Sequence, residues 1–112
     1  MHFFKIILLF VAVNISAMKI FSQNTFLLKG VIVDEETNSP LVYASIGILN
    51  KPVGTISDTL GNYYFEISNE YLNDTLQVSH AGYETKRLLL SEFVKQKDTT
   101  IKLAKRIISL QE

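Results

Sequence analysis

Residues 55–67, which read TISDTLGNYYFEI, decide the fold because they place two β-rich runs around an Asp-x-x-Gly core. Asp58 can accept hydrogen bonds from the backbone amides that follow it, and Gly61 can take a positive φ without steric cost. Turn chemistry therefore accounts for every residue type in the core. No catalytic role is needed to explain why an aspartate and a glycine stand there.

The runs on either side of this turn alternate apolar side chains with a period of two, which is the period of a β-strand. Tyr63 and Phe65 share one face, and we expect their rings to be buried across from Ile56. The arrangement predicts that Thr55–Asp58 and Tyr63–Ile67 pair with each other as a hairpin.

The same period recurs from Phe26 to Leu103, with turn-forming residues between the runs. Apolar residues on both faces of the first run place it inside a sheet rather than at an edge. Short strands separated by regular turn signals are typical of a β-sandwich or barrel. The predicted strands are Phe26–Val33, Leu41–Leu49, Val53–Ser57, Tyr63–Ser68, Leu76–His80, Glu84–Leu90 and Thr99–Leu103.

One short helix is predicted at Ser91–Asp98, which reads SEFVKQKD. The hydroxyl of Ser91 is suited to cap the first turn. Phe93 and Val94 would then hold the helix against the core.

Residues 1–22 differ from the rest of the chain and are typical of a secretory signal peptide. Lys5 supplies the positive start, and Lys19 ends the apolar run short of the roughly 20 residues that a spanning helix needs. Cleavage could follow Ala17 or Ser22, and the polar residues after Ser22 favour the second position. An uncleaved signal anchor is the alternative. The segment predicts export to the periplasm, the outer membrane or the medium.

The composition describes one mildly acidic domain. The chain has 112 residues, no cysteine and a formal net charge of zero, and we expect one domain at 23–112 with a core from about 28 to 103. Without the signal peptide it keeps nine basic and eleven acidic residues, a net charge of −2. This balance offers no basic footprint for nucleic acid, and the lack of cysteine excludes disulfides and thiolate metal sites.

Three motifs, in order along the chain, resemble those of carboxypeptidase regulatory-like domains. The first is Gly-x-Ile-x-Asp with a following Pro-Leu and Ala-Ser-Ile, the second is Ser-Asp-x-x-Gly-x-Tyr-x-Phe, and the third is Leu-x-Val-Ser-x-x-Gly-Tyr. The resemblance covers residues 28 to about 103. The residues that carry it are Gly30, Asp34, Pro40, Ala44, Asp58, Gly61, Tyr63, Phe65, Gly82 and Tyr83.

The resemblance implies an all-β, seven-stranded, transthyretin-like Greek-key sandwich. It also implies a setting, because such domains commonly follow the signal peptide of TonB-dependent outer-membrane receptors of the Bacteroidetes type, ahead of the plug and barrel. Others occur in envelope proteins. The chain is then either a stand-alone version or a truncated piece of such a receptor. The family name implies no peptidase, since a carboxypeptidase carries its zinc ligands in a separate domain.

The acidic residues offer one candidate metal site, which would combine Asp34, Glu35 and Glu36 with Asp58. Calcium takes about six to eight oxygen ligands. Adjacent carboxylates in a turn are more often solvated, so we predict neither a metal nor another cofactor.

His80 is the only histidine that remains after loss of the signal peptide. A zinc site needs three or four ligands, and no nucleophile-elbow pattern accompanies the histidine. The transthyretin-like fold includes hydroxyisourate hydrolase, which uses several histidines and a different C-terminal motif. The C-terminal Ser-Leu-Gln-Glu and the single histidine argue against that activity.

Tyr64 is the candidate ligand surface, because it faces opposite to Tyr63 and Phe65. The leading hypothesis is a non-catalytic exported module that contacts an envelope or outer-membrane protein, such as a receptor component, through a strand edge or loop end. A stand-alone domain that binds a carbohydrate or a peptide is the alternative. A transthyretin-like hydrolase is the weaker one.

Overall fold

The structure is a computed structural model, and it describes residues 24–107. Within these residues it contains seven strands, a 3-10 turn after the fourth strand, and one short helix after the sixth. The predicted number of strands is therefore confirmed. The elements are β1 (Thr25–Asp34), β2 (Ser45–Ile48), β3 (Gly54–Ile56), β4 (Asn62–Ser68), the 3-10 turn (Asn69–Tyr71), β5 (Thr75–Ser79), β6 (Lys86–Leu89), α1 (Leu90–Phe93) and β7 (Ile101–Leu103).

The strands form two sheets, of order β4-β1-β7 and β3-β2-β5-β6. All neighbours are antiparallel except β1 and β7, which are parallel. The two sheets make the sandwich that the period-two pattern predicts, so the all-β prediction is confirmed. The first strand lies in the middle of its sheet, as its two apolar faces indicate.

The core lies between the sheets, where one side chain in two points inward. On β4, Tyr63, Phe65 and Ile67 are buried, while Tyr64 and Glu66 between them are exposed. Each fully buried apolar side chain contributes roughly 1.5–3 kcal/mol, which a domain without disulfides needs from packing. The buried apolar residues are Leu28, Ile32, Val33, Leu41, Ala44, Ile46, Ile48, Tyr63, Phe65, Ile67, Leu76, Val78, Leu90, Phe93, Ile101 and Leu103.

The predicted hairpin around Asp58 is wrong. β3 pairs with β2, whereas β4 pairs with β1 over seven residues, so the turn carries the chain from one sheet to the other. Ile56 is also not buried across from the rings: it is 56% exposed and lies opposite Ser45 on the outer face. The long ladder with β1 outweighs the short local pairing because it makes more backbone hydrogen bonds and covers a central strand.

The predicted strand over 41–49 is also shorter than expected, since β2 begins at Ser45. Tyr43 has a φ of 58°, which takes the backbone out of the extended region. Its N–H donates to the carbonyl of Ser57 at 3.2 Å, so this loop is tied to the end of β3.

The helix begins one residue earlier than predicted and ends at Phe93. Ser91 makes no capping hydrogen bond, so that part of the prediction is wrong. Leu90 fixes the start instead, because its side chain is fully buried and its N–H donates to the carbonyl of Asp74 at 3.1 Å. Phe93 is buried and Val94 packs against the core, as predicted.

The predicted signal peptide, residues 1–22, lies outside the described residues. Between residues 24 and 107, no helix is long and apolar enough to cross a membrane.

Candidate interaction edge

Asp34 is the centre of a polar cluster at one end of the sandwich. Its side chain is buried, and it accepts hydrogen bonds from the N–H of Glu36 at 2.8 Å, the N–H of Thr37 at 3.1 Å and the hydroxyl of Tyr83 at 2.7 Å. The Lys105 Nζ lies 3.7 Å away. The hydrogen bond from Tyr83, helped by the backbone amides, lowers the pKa of Asp34 to about 2. The interpretation of this aspartate as a solvated turn residue is therefore wrong.

The two aspartates of the candidate metal site each serve a turn. Asp58 accepts hydrogen bonds at 2.9 Å from the amides of Leu60 and Asn62, as its place in the turn predicts. Asp34 is occupied by the donors described above. Within residues 24–107, no group of three or more histidine, aspartate or glutamate side chains is placed to hold a metal ion.

Ser57 ties the second motif to the loop of the first. Its buried Oγ accepts from the N–H of Ala44 at 2.8 Å and donates to the carbonyl of Leu41 at 2.7 Å. Gly61, with a φ of 79°, packs against Pro40, where a Cβ would come within 2.8 Å of the proline ring. These residues of the motifs therefore hold the turns together.

Tyr63 and Gly30 have a similar structural role near the start of β4. The Tyr63 hydroxyl donates to the carbonyl of Thr99 at 2.6 Å, and burial raises the pKa of Tyr63 to about 12. A Cβ at Gly30 would collide with the Thr99 carbonyl and lie 2.7 Å from the Tyr63 hydroxyl. Close packing between strands therefore requires glycine at this position. Phe65 completes this face in the core.

His80 is bonded to backbone carbonyls rather than to a catalytic partner. Nδ1 lies 2.9 Å from the carbonyl oxygen of Ala81, and Nε2 lies 2.9 Å from that of Val42. Its ring packs edge-on against Tyr83 at 5.3 Å, beside Gly82, whose φ is 85°. The imidazole therefore fastens the β5–β6 turn to the loop before β2.

The exposed edges of the sheets differ in how well they are protected from pairing. Edge strands are usually protected by shortness, lysine or proline. Among the described elements, β3 and β7 have three residues each, and β6 carries Lys86 and Arg87. β4 is seven residues long and contains no lysine, arginine or proline. It is the edge that remains open to another strand.

The backbone of β4 points half of its hydrogen-bonding groups away from the sheet. The N–H of Ile32 donates to the carbonyl of Gly61 at 2.8 Å, which sets the phase of the β1–β4 ladder. Bonded and non-bonded pairs alternate in an antiparallel ladder. The odd-numbered residues of β4 therefore bond to β1, and the N–H and C=O groups of Tyr64 and Glu66 point outward.

Side chains around this edge form an exposed, partly apolar surface. Tyr64 is 61% exposed on the outer face, opposite Lys29 of β1. The next pair is Glu66 with Leu27, which is 58% exposed. The structure thus places the tyrosine predicted as a ligand surface on the open edge itself.

Between the edges of β3 and β4 run two adjoining clefts of about 430 and 410 Å³. Val53, Phe65 and Glu66 line both clefts. Tyr71 and Glu70 line the one nearer the 3-10 turn. The open edge therefore stands beside two clefts of mixed polarity, with Val53 and Phe65 in their lining and two carboxylates at the rim.

Sequence reasoning missed this edge, because it paired β4 with β3. Seven strand residues without lysine, arginine or proline were visible in the sequence, but only the sheet order shows that they lie at an edge. It also missed Thr99 and Lys105, whose partners are distant in the chain.

The model of one protein family, described as the CarboxypepD_reg-like domain, matches residues 28–112. The match covers all three motifs. A search of curated proteins found no match to the chain.

Proposed function

Since the chain belongs to the CarboxypepD_reg-like domain family, we propose that it is a non-catalytic module that docks other proteins by accepting a strand at β4. The observation that carries the proposal is the seven-residue edge with the outward backbone groups of Tyr64 and Glu66. An extended segment can pair with such an edge through main-chain hydrogen bonds. The domain would then extend its three-stranded sheet by one strand.

The proposal includes a lack of catalytic activity. The hydrogen bonds that the polar residues make within the fold support this part of the proposal. Asp34 and Ser57 are buried and bonded within the fold, and both nitrogens of His80 contact backbone carbonyls. A nucleophile and a general base must lie within hydrogen-bond reach of each other. These groups instead join loops to one another.

The setting proposed for this module is the cell envelope. The signal-peptide pattern of residues 1–22 supports export, and the family supports a place at the front of a TonB-dependent receptor or in a related envelope protein. The partner would be an envelope or outer-membrane protein that offers an extended segment.

Proline substitution at the edge tests the proposal. Glu66→Pro removes an outward N–H and leaves the ladder with β1 intact, whereas Arg87→Pro makes the same change on β6, an edge strand of the other sheet. Arg87 also points its N–H outward, because the Leu90 N–H bonded to the Asp74 carbonyl sets the phase of the β5–β6 ladder. We expect an envelope protein identified by mass spectrometry to be captured by wild type and by Arg87→Pro but not by Glu66→Pro. Equal capture by all three would refute strand docking.

A carbohydrate site is the second candidate, and one observation favours it. Tyr64 lines a shallow cleft of about 370 Å³ together with Lys29, Asn62 and Thr100. An exposed ring flanked by polar groups suits the apolar face and the hydroxyls of a sugar. A glycan-array signal that is lost in Tyr64→Ala but kept in Glu66→Pro would select this function over strand docking.

A further inference from the structure

We propose that the segment accepted at β4 is a cationic extended peptide in which apolar residues alternate with lysine or arginine. This inference rests on the strand docking proposed above, and it adds the chemistry of the partner. In antiparallel pairing, the partner residues opposite Tyr64 and Glu66 project to the outer face. Those opposite Phe65 and Ile67 project toward the space between the sheets.

The space between the sheets requires apolar side chains on the partner. Val53 and Tyr71 are partly buried against the core and line the clefts beside the edge. Phe65, which is only 4% exposed, forms their floor. A valine or leucine of the added strand would pack against Val53 and Tyr71, whereas an acidic side chain would lose water there beside the carboxylates of Glu66 and Glu70.

The outer face requires a positive charge on the partner. Glu66 and Glu70 are exposed at the rim of the cleft, and the ion pair formed among residues 24–107 joins Asp34 and Lys105 instead. The Glu66 carboxylate does accept a hydrogen bond, from the Thr25 hydroxyl at 3.0 Å, but this leaves its charge uncompensated. Opposite charges directly across a strand pair stabilise the pairing.

No basic residue of β1 lies directly across from Glu66, where it would repel a cation of the partner. Leu27 is the β1 residue paired with Glu66, while Lys29 is paired with Tyr64. A second copy of the chain would be a poorer occupant, because β4 offers no lysine or arginine to the Glu66 of its partner. These charges favour a different, basic segment over pairing of β4 with the β4 of a second copy.

Fluorescence anisotropy with the full chain tests the inference. The probe is a labelled peptide, Thr-Val-Lys-Val-Arg-Val-Thr, and the matched control is Thr-Val-Glu-Val-Glu-Val-Thr. We expect the basic peptide to bind at least about tenfold more tightly than the acidic one, the size of an effect near 1.4 kcal/mol. Glu66→Lys is expected to reverse the preference, and Arg87→Pro to leave it unchanged.

The outcomes separate the inference from the function on which it rests. If both peptides bind equally and Glu66→Pro abolishes binding, the edge docks strands but the cationic partner is refuted. If the basic peptide binds Glu66→Pro as tightly as wild type, its binding does not depend on the β4 edge, and both proposals are refuted. If analytical ultracentrifugation shows self-association that blocks peptide binding, the occupant of the β4 edge is a second copy of the chain, and the cationic peptide is refuted.

Discussion

Gly61 and Gly82 both have a positive φ, of 79° and 85°, but their surroundings differ. A Cβ at Gly61 would lie 2.8 Å from the Cβ of Pro40 and 2.9 Å from the carbonyl oxygen of Ile32, while a Cβ at Gly82 would have nothing within 4 Å. A left-handed backbone costs an alanine about 1–2 kcal/mol. Crowding adds a further cost of about 1–3 kcal/mol at the first site alone.

We therefore expect Gly82→Ala to lower the free energy of unfolding by about 1–2 kcal/mol, and Gly61→Ala by about 2–5 kcal/mol. Urea denaturation of the two variants and wild type measures the difference. Equal losses would show that the contact with Pro40 yields without cost.

Asp34 makes stability depend on acid. Its pKa is lowered to about 2 in the folded state from an ordinary 3.8, mainly by the hydrogen bond from Tyr83. A lowered pKa contributes stability that is fully present above the ordinary value and is lost as the pH falls through the folded one. We expect the melting temperature of wild type to fall more than that of Asp34→Asn between about pH 4 and pH 2.

Tyr83→Phe is the control for this acid effect, since it removes the largest cause of the shift and keeps the carboxylate. The fall in its melting temperature on acidification should lie between the falls of wild type and Asp34→Asn. Asp98, whose pKa is also lowered by its hydrogen bonds to Thr100, is common to all three proteins and cancels in the comparison. If the melting temperatures of the three proteins fell in parallel as the pH is lowered, Asp34 would not be the source of the pH dependence.

Residue types alone were enough to predict the turn at Asp58 and Gly61, because its hydrogen bonds span two to four positions. They were not enough for Asp34, whose main partner is 49 positions away. Its neighbours in sequence are two more acidic residues, which indicate a solvated turn. Burial of a charge depends on partners that only the folded chain brings together.

At the scale of the elements, alternation located the strands and chose their inner faces, but it did not choose their partners. The two runs around Asp58 are near in sequence, yet β4 pairs with the distant β1, and β3 pairs with β2, the strand that precedes it. Local patterns contain no information about which ladder is longer. The candidate edge was missed for that reason.

Amide exchange checks the proposed orientation of β4. The amides of Tyr63, Phe65 and Ile67 bond to β1, so they should exchange slowly, while those of Tyr64 and Glu66 point outward and should exchange quickly. Residue-resolved hydrogen exchange followed by NMR would reveal this alternation. Uniform protection along β4 would mean that the edge is already covered.

At the scale of the whole molecule, two sheets share one core, and this much followed from the period-two pattern. Leu76 of β5 is fully buried in that core, whereas Leu89 of β6 is 47% exposed. A cavity at Leu76 would face both sheets. The two sheets should therefore lose stability together.

Leu76→Ala is expected to lower the free energy of unfolding by about 2–5 kcal/mol. The exposed control Leu89→Ala should cost less than about 1 kcal/mol, in keeping with its partial burial. Differential scanning calorimetry should show a single shifted transition for Leu76→Ala. Two separate transitions would mean that the sheets melt independently.

The parallel pairing of β1 with β7 has a mechanical consequence. Since the two strands run in the same direction, the start of β1 and the end of β7 lie at opposite ends of their ladder. Tension applied between those two points acts along the strands, so their hydrogen bonds are loaded together in shear and do not unzip one by one. Although β7 has only three residues, this geometry suits a domain that must bear a pull between its ends.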